Sequence, residues 1–158
     1  MKTLIIVDLQ HDFLKGGSLS VPKADFAYVQ SIESIRHCFD EVVLTADHHP
    51  RDHVSFSTYP VHCVAGTHGA ALAVKPGNKL LLKGSNPMEE EFSPFHGGRN
   101  LEWIRGEVVC VLGLVREICV RFILEDLLRY APNRRYCAIS DLIHFLDGSR
   151  YGEVDFFD

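Results

Sequence analysis

Three apolar runs of the chain lead into residues that could do chemistry together: Asp8 after Leu4-Ile5-Ile6-Val7, Lys83 after Leu80-Leu81-Leu82, and Cys119 shortly after Val108-Val109-Cys110-Val111-Leu112. A carboxylate can move a proton, an ammonium can stabilise a thiolate, and a thiol can attack an electrophilic carbon. Singly, each has an ordinary explanation. An aspartate past a strand is usually a turn residue, a lysine there a solvated cap, and a cysteine a small buried hydrophobe. Jointly, one from each of three strand ends, they make a candidate nucleophilic site. Cys119 also opens an amphipathic segment, and a thiol at a helix N-terminus is expected to favour its thiolate.

A second constellation reads Asp47-x-His49-x3-His53-x8-His62. Asp47 and His49 are two residues apart, so an extended backbone directs both to the same side. One carboxylate and three imidazoles suit zinc, iron, manganese or cobalt in their divalent states, without the cysteine-rich pattern of a structural zinc site. The competing explanation is a set of solvated loop histidines, and spacing alone leaves both open. Phe13, Tyr59, Phe92 and Phe95 could line a pocket for a flat ring. Gly16-Gly17 and Gly97-Gly98 are turn glycines, because no Walker or GxGxxG pattern follows a strand.

Positioning these groups requires a sheet whose strand ends meet. Apolar, β-branched-rich runs occur at Thr3 to Val7, Glu41 to Thr45, Lys79 to Leu82, Val108 to Leu112 and Tyr136 to Ile139. Two are continuous instead of alternating, as expected of strands covered on both faces of a parallel sheet. Behind Pro22, Tyr28, Ile32, Ile35 and Cys38 recur at helical steps; after the fourth run, Val120, Ile123, Leu124, Leu127 and Leu128 do the same up to Ala131-Pro132. Strand, helix, strand predicts right-handed βαβ units and a three-layer α/β/α domain with a mainly parallel sheet over residues 1–158. Ligands of such sheets bind beyond the carboxyl ends of the strands. His48 to Gly77 shows little periodicity and reads as a long ordered loop, the kind that carries sites.

Composition narrows the classes. The 158 residues are 46% hydrophobic and 23% charged, with a net charge of -5 and no basic block, so one globular domain is expected and nucleic acid is not an expected partner. No run approaches the roughly 20 apolar residues of a membrane span, and the opening Met1-Lys2-Thr3-Leu4 reaches Asp8 too soon for a secretory signal, which leaves a cytoplasmic expectation. Five cysteines without a CxxC pair then read as reduced thiols.

Leu4 through Phe13 followed by Gly16-Gly17-Ser18-Leu19 resembles the opening signature of nicotinamidases, also called pyrazinamidases, within the isochorismatase-like cysteine hydrolases. Thr45-Ala46-Asp47-His48-His49-Pro50 with Asp52-His53-Val54-Ser55-Phe56 resembles their metal motif, and Tyr59 through Thr67 the segment bearing another ligand. Lys83-Gly84 and Gly113-Leu114-Val115 through Cys119-Val120 resemble the remaining blocks, so matches in order span Leu4 to about Asp126. The resemblance implies an isochorismatase-like fold, Cys119 as nucleophile, Asp8 as general base and acid, and Lys83 as the supporting cation. It implies one divalent metal on Asp47, His49 and His62, zinc first with iron or manganese as alternatives, and His53 as a further ligand or a supporting group. An oxyanion hole would come from the N–H groups of Val115 and Cys119 around a cis Leu114–Val115 peptide. Phe13, Tyr59, Gln10 and Leu114 would form the substrate pocket.

The implied reaction converts nicotinamide to nicotinic acid and ammonia through a cysteine thioester, in an enzyme of NAD salvage that could be a homo-oligomer. Tyr59 replaces a common tryptophan and His48 a usual aromatic. Arg121-Phe122-Ile123-Leu124 differs from the family's smaller residues, and the chain ends sooner than most members, at Asp155-Phe156-Phe157-Asp158. Two alternatives stand beside this: an isochorismatase-like hydrolase of another small amide, and a non-catalytic metal-binding or redox-sensing module.

Overall fold

A computed structural model describes residues 1–146; the ending singled out above lies outside the described residues. Five strands, β1 (Lys2–Val7), β2 (Glu41–Asp47), β3 (Lys79–Lys83), β4 (Val108–Leu114) and β5 (Arg135–His144), form one sheet in the order β3-β2-β1-β4-β5. Every neighbouring pair is parallel. The continuous apolar runs belong to the strands that are covered on both faces: β2 is buried throughout and β1 from Thr3 onward. At the β3 edge only alternate residues are buried, and Leu80 and Leu82 are exposed.

Helix α1 (Phe26–Ile35) connects β1 to β2, and α2 (Arg121–Tyr130) connects β4 to β5. These crossovers step outward from the sheet centre in opposite directions, and right-handedness then puts the two helices on opposite faces, giving the α/β/α layering. Asp25, and not the expected Pro22, opens α1: its side chain accepts a 3.0 Å hydrogen bond from the Tyr28 N–H, satisfying one of the first turn's unpaired donors. Tyr28, Val29 and Ile32 face the core from α1, and Ile123, Leu124 and Leu127 from α2. A short 3-10 turn, Arg36–Cys38, carries the last residues of the first helical pattern.

Strand β5 runs to His144, five residues past its expected end. Exposed Ser140 and Asp141 interrupt its apolar pattern, and the β4–β5 register shifts between Val111 and Gly113. Gly113 has φ 120°, and a Cβ there would run into the backbone of Val7, its partner on β1. The close strand approach therefore requires glycine. Gly113→Ala is expected to cost about 3 kcal/mol, from the positive φ together with overpacking; urea unfolding measures this, and an unchanged midpoint would contradict it.

Because all strands run the same way, their carboxyl ends share one rim. The register sets Val7 beside both Thr45 and Gly113, and Asp47 beside Lys83. No helix among the described residues is long and apolar enough to cross a membrane.

Candidate active site

Asp8 leaves β1 in the left-handed region, φ 53°, which turns its side chain back over the strand ends. It is fully buried, accepts a 2.6 Å hydrogen bond from the Thr45 hydroxyl, and lies 2.8 Å from Lys83 Nζ. Lys83, also buried, reaches three groups: Asp8, the Asp47 carboxylate, and Cys119 Sγ at 3.4 Å. Oxygen atoms of Asp8 and Asp47 and the Cys119 sulfur all fall within 4.8 Å of one another. The three residues from three strand ends therefore converge, with Asp47 as a fourth member.

One ammonium serves two carboxylates and a thiol, and the protons distribute accordingly. Burial disfavours ionisation of Asp47, yet Lys83 and His49 hold its carboxyl well below the usual range. Burial, reinforced by Asp47, raises Asp8 above an ordinary aspartate against the pull of Lys83 and Thr45. Lys83 is raised despite burial, by Asp47, Asp8 and Cys119.

Cys119 departs from expectation. It lies within a five-residue π-helical turn, Arg116–Val120, that precedes α2. Burial and then the charges of Asp8 and Asp47 push its thiol well up, with only Lys83 opposing. Desolvation and the two carboxylates outweigh the favourable backbone charge at the helix start. The resting group is a thiol that needs a base, and the raised Asp8 beside it is a stronger base than a solvated aspartate. The Leu114–Val115 peptide is cis, and the Val115 carbonyl accepts from the N–H groups of Ile118 and Val120, tying the turn to the end of β4.

Asp47, His49 and His62 bring a carboxylate and two imidazoles together, each offering an atom within 4.8 Å of the others. His49 spends Nδ1 on the Gly84 carbonyl at 2.8 Å and His62 spends Nδ1 on the Pro60 carbonyl at 2.7 Å. A carbonyl can only accept, so both Nδ1 atoms carry a proton, and in the neutral rings both Nε2 atoms keep their lone pairs, the usual outer support of metal-binding histidines. Burial holds His62 below the ordinary imidazole range, which favours the neutral ligand form. For His49, burial acts the same way but Asp47 and the Gly84 carbonyl outweigh it and raise the ring. Gly84, at φ 69°, is where a Cβ would strike the His49 ring. This donor set, an oxygen and two nitrogens with room for further ligands, fits a divalent transition metal.

Two sequence-selected residues stand elsewhere. His53 accepts from the Ser55 N–H at Nδ1 and contacts the Glu89 carbonyl through Nε2 at 3.1 Å, so both ring nitrogens are engaged by backbone. It stacks on His49 at 4.0 Å and supports that ring instead of joining the trio. Gln10, expected in the pocket, is fully buried and clamps the end of β2: its Nε2 donates to the Asp47 and Ala70 carbonyls and its Oε1 accepts from the Asp47 N–H. Both amide hydrogens and one lone pair of the amide oxygen are thus committed to backbone. Gln10→Ala should free the Asp47 backbone and weaken metal binding about tenfold, the low end for outer-shell partners, as read by chelator competition; unchanged affinity would count against the clamp.

A partly open cleft lies above these groups. Phe13, Tyr59, Phe92, Leu114 and Val115 line it, with Asp47, His49 and His62 on one side and Cys119 on another. Phe95 is instead wholly buried in the core. Leu19, Ile118, Leu146 and a hydrogen-bonded Ser55–Glu90 pair at 2.6 Å also reach the cleft. Leu19, Ser55 and Ile118 fall inside the motif segments quoted above without being singled out there, and Glu90 and Leu146 lie outside every one of those segments.

No family model matches the chain. A nicotinamidase/pyrazinamidase of Mycobacterium tuberculosis is 33% identical over 157 residues, covering 82% of this chain and 80% of that protein. Among solved structures, the pyrazinamidase of Pyrococcus horikoshii in complex with zinc superposes with a TM-score of 0.82 at 28% identity, over 93% of this chain and 88% of that one. A protein of L. infantum in complex with nicotinate gives 0.79 at 31% identity, over 93% and 82%. With identity of this extent and the same fold, the chain belongs to the nicotinamidase family.

Proposed function

We propose that this chain is a nicotinamidase, hydrolysing nicotinamide to nicotinate and ammonia through a thioester on Cys119. The observation that carries the assignment is the meeting of Asp8, Lys83 and Cys119 under one cleft beside Asp47, His49 and His62. The carboxylate of Asp8 takes the thiol proton, and Lys83, 3.4 Å from the sulfur, stabilises the thiolate. The thiolate attacks the carboxamide carbon, and the N–H groups of Val115 and Cys119 receive the developing oxyanion, a contribution of about 3 kcal/mol per donor. The protonated Asp8 then gives its proton to the departing ammonia and, ionised again, activates the water that cleaves the thioester. Phe13 and Tyr59 hold the ring.

Asp47, His49 and His62 would hold the metal, zinc by preference, with the His53 ring packed behind His49. When bound, the ion supplies a Lewis-acid anchor for the ring nitrogen. A panel of small amides tests the reading, with elemental analysis of the purified protein alongside. Ammonia release from nicotinamide and about one equivalent of divalent metal are expected; turnover of another amide but not of nicotinamide would reject it in favour of a different isochorismatase-like hydrolase.

A further inference from the structure

In the β4–β5 pairing Cys110 lies directly opposite Cys137. Neighbouring strands are about 4.8 Å apart, inside the roughly 4.4 to 6.8 Å Cα separation that a disulfide spans, and in-register parallel partners project to the same face. Cys137 is near enough to Cys110 to push its thiol up, and neither is in a disulfide. Tyr136, one residue earlier, points the other way and donates to the Leu127 and Ala131 carbonyls at the end of α2. The cysteine pair therefore occupies the sheet face away from α2, where Cys137 is exposed and Cys110 buried.

We propose that Cys110 and Cys137 are a redox modification site, closing to a reversible cross-strand disulfide under a hydroperoxide oxidant. Burial and then its neighbour push Cys110 up to about 11, against a pull from Lys2, so exposed Cys137 meets the oxidant first. Its thiolate attacks one peroxide oxygen; an S–O bond forms, the O–O bond breaks, and with a proton water leaves, giving a sulfenic acid. The Cys110 sulfur attacks the sulfenic sulfur; the S–S bond forms, the S–O bond breaks, and the departing hydroxide takes the remaining thiol proton as water. Two sulfurs supply two electrons and one hydrogen peroxide becomes two waters.

The other thiols lack this arrangement. Cys119 and Cys63 are buried and both held up by burial first, and exposed Cys38 has His37 beside it at 3.6 Å instead of a second thiol. The bridge would enclose the segment from Gly113 through Cys119 to α2, joining the strand that carries the nucleophile's turn to the edge strand.

The test treats the purified full chain with hydrogen peroxide, blocks remaining thiols with N-ethylmaleimide and digests it without reductant. Trypsin cuts after Arg116 and Arg135, so Cys110, Cys119 and Cys137 fall in separate peptides. Mass spectrometry is expected to find the Cys110 and Cys137 peptides joined and lighter by two hydrogens, parted again by dithiothreitol. Cys110→Ser and Cys137→Ser should each abolish the joined species while keeping wild-type ammonia release. The proposal is overturned if Cys110 and Cys137 both carry maleimide after oxidation, if Cys137 is over-oxidised while Cys110 remains labelled, or if Cys137 is bridged only between chains.

Discussion

Cys119→Ala is expected to abolish ammonia release from nicotinamide, by at least about 10⁴-fold, while leaving bound metal and fold intact. The sulfur is the only thiol among the described residues that Lys83 contacts, at 3.4 Å, and the Thr45 hydroxyl near Asp8 is already committed to it as a donor. Its removal takes no hydrogen bond from the three metal candidates, whose support comes from Lys83, Gln10, the Gly84 and Pro60 carbonyls and the His53 ring. Chelator competition should therefore give the wild-type metal affinity in the variant. Cys119→Ser keeps the volume but offers a hydroxyl far harder to deprotonate, and it should be nearly as inactive. Hydrolysis retained in the alanine variant would mean that water attacks the amide directly, and the thioester route would fall. Activity and metal lost together would instead point to a structural Cys119.

What could be read from the sequence follows from which interactions are local. The convergence of Asp8, Lys83 and Cys119 was legible because each terminates an apolar run, and parallel strands deliver their ends to one rim whatever the loops between them do. The same logic found both helices, whose apolar spacing is local to ten residues each. Pro22 does not mark the start of α1, because proline is only one way to open a helix and the Asp25 cap depends on a single side-chain geometry. The end of β5 was hidden because Ser140 and Asp141 break its pattern on the exposed side.

At the site, spacing could nominate four metal ligands but could not sort them. His53 is consumed by Ser55 and by the Glu89 carbonyl, the latter 36 positions away, and nothing near His53 in the sequence announces that contact. The position of Gln10 in the motif suggests the pocket, whereas its three hydrogen bonds reach backbone 37 and 60 positions away. The protonation of Cys119 was missed for a related reason. Helix dipoles are legible from local sequence, but desolvation and two facing carboxylates emerge only when the strand ends are assembled.

Lys83→Met should have the largest effect on stability. The ammonium has no exposure and is the cation shared by Asp8 and Asp47, which would be left buried and facing each other. Removing one partner of a buried ion pair costs about 3–5 kcal/mol, which for a chain of this size lowers Tm by roughly 6 to 20 °C. Ammonia release should be lost as well, since neither the thiolate nor the ionised Asp8 keeps its counter-charge. The pH dependence distinguishes lost charge from lost packing. In the wild type Asp47 is depressed, so its contribution is present above the unfolded carboxylate pKa and is lost as pH falls through the folded value. In the variant the two carboxylates repel and their folded pKa values rise, so stability is retained at low pH and lost as pH climbs through those values. The Tm gap between wild type and variant should therefore widen from pH 5 to pH 8, measured by calorimetry in the presence of a chelator so that no bound ion replaces the missing charge. Adding Asp8→Asn to Lys83→Met removes one of the facing charges and should recover part of the loss at pH 8 but little at pH 5. A Tm gap that stays constant across this range, with no recovery in the double variant, would show that Lys83 stabilises the rim by packing alone.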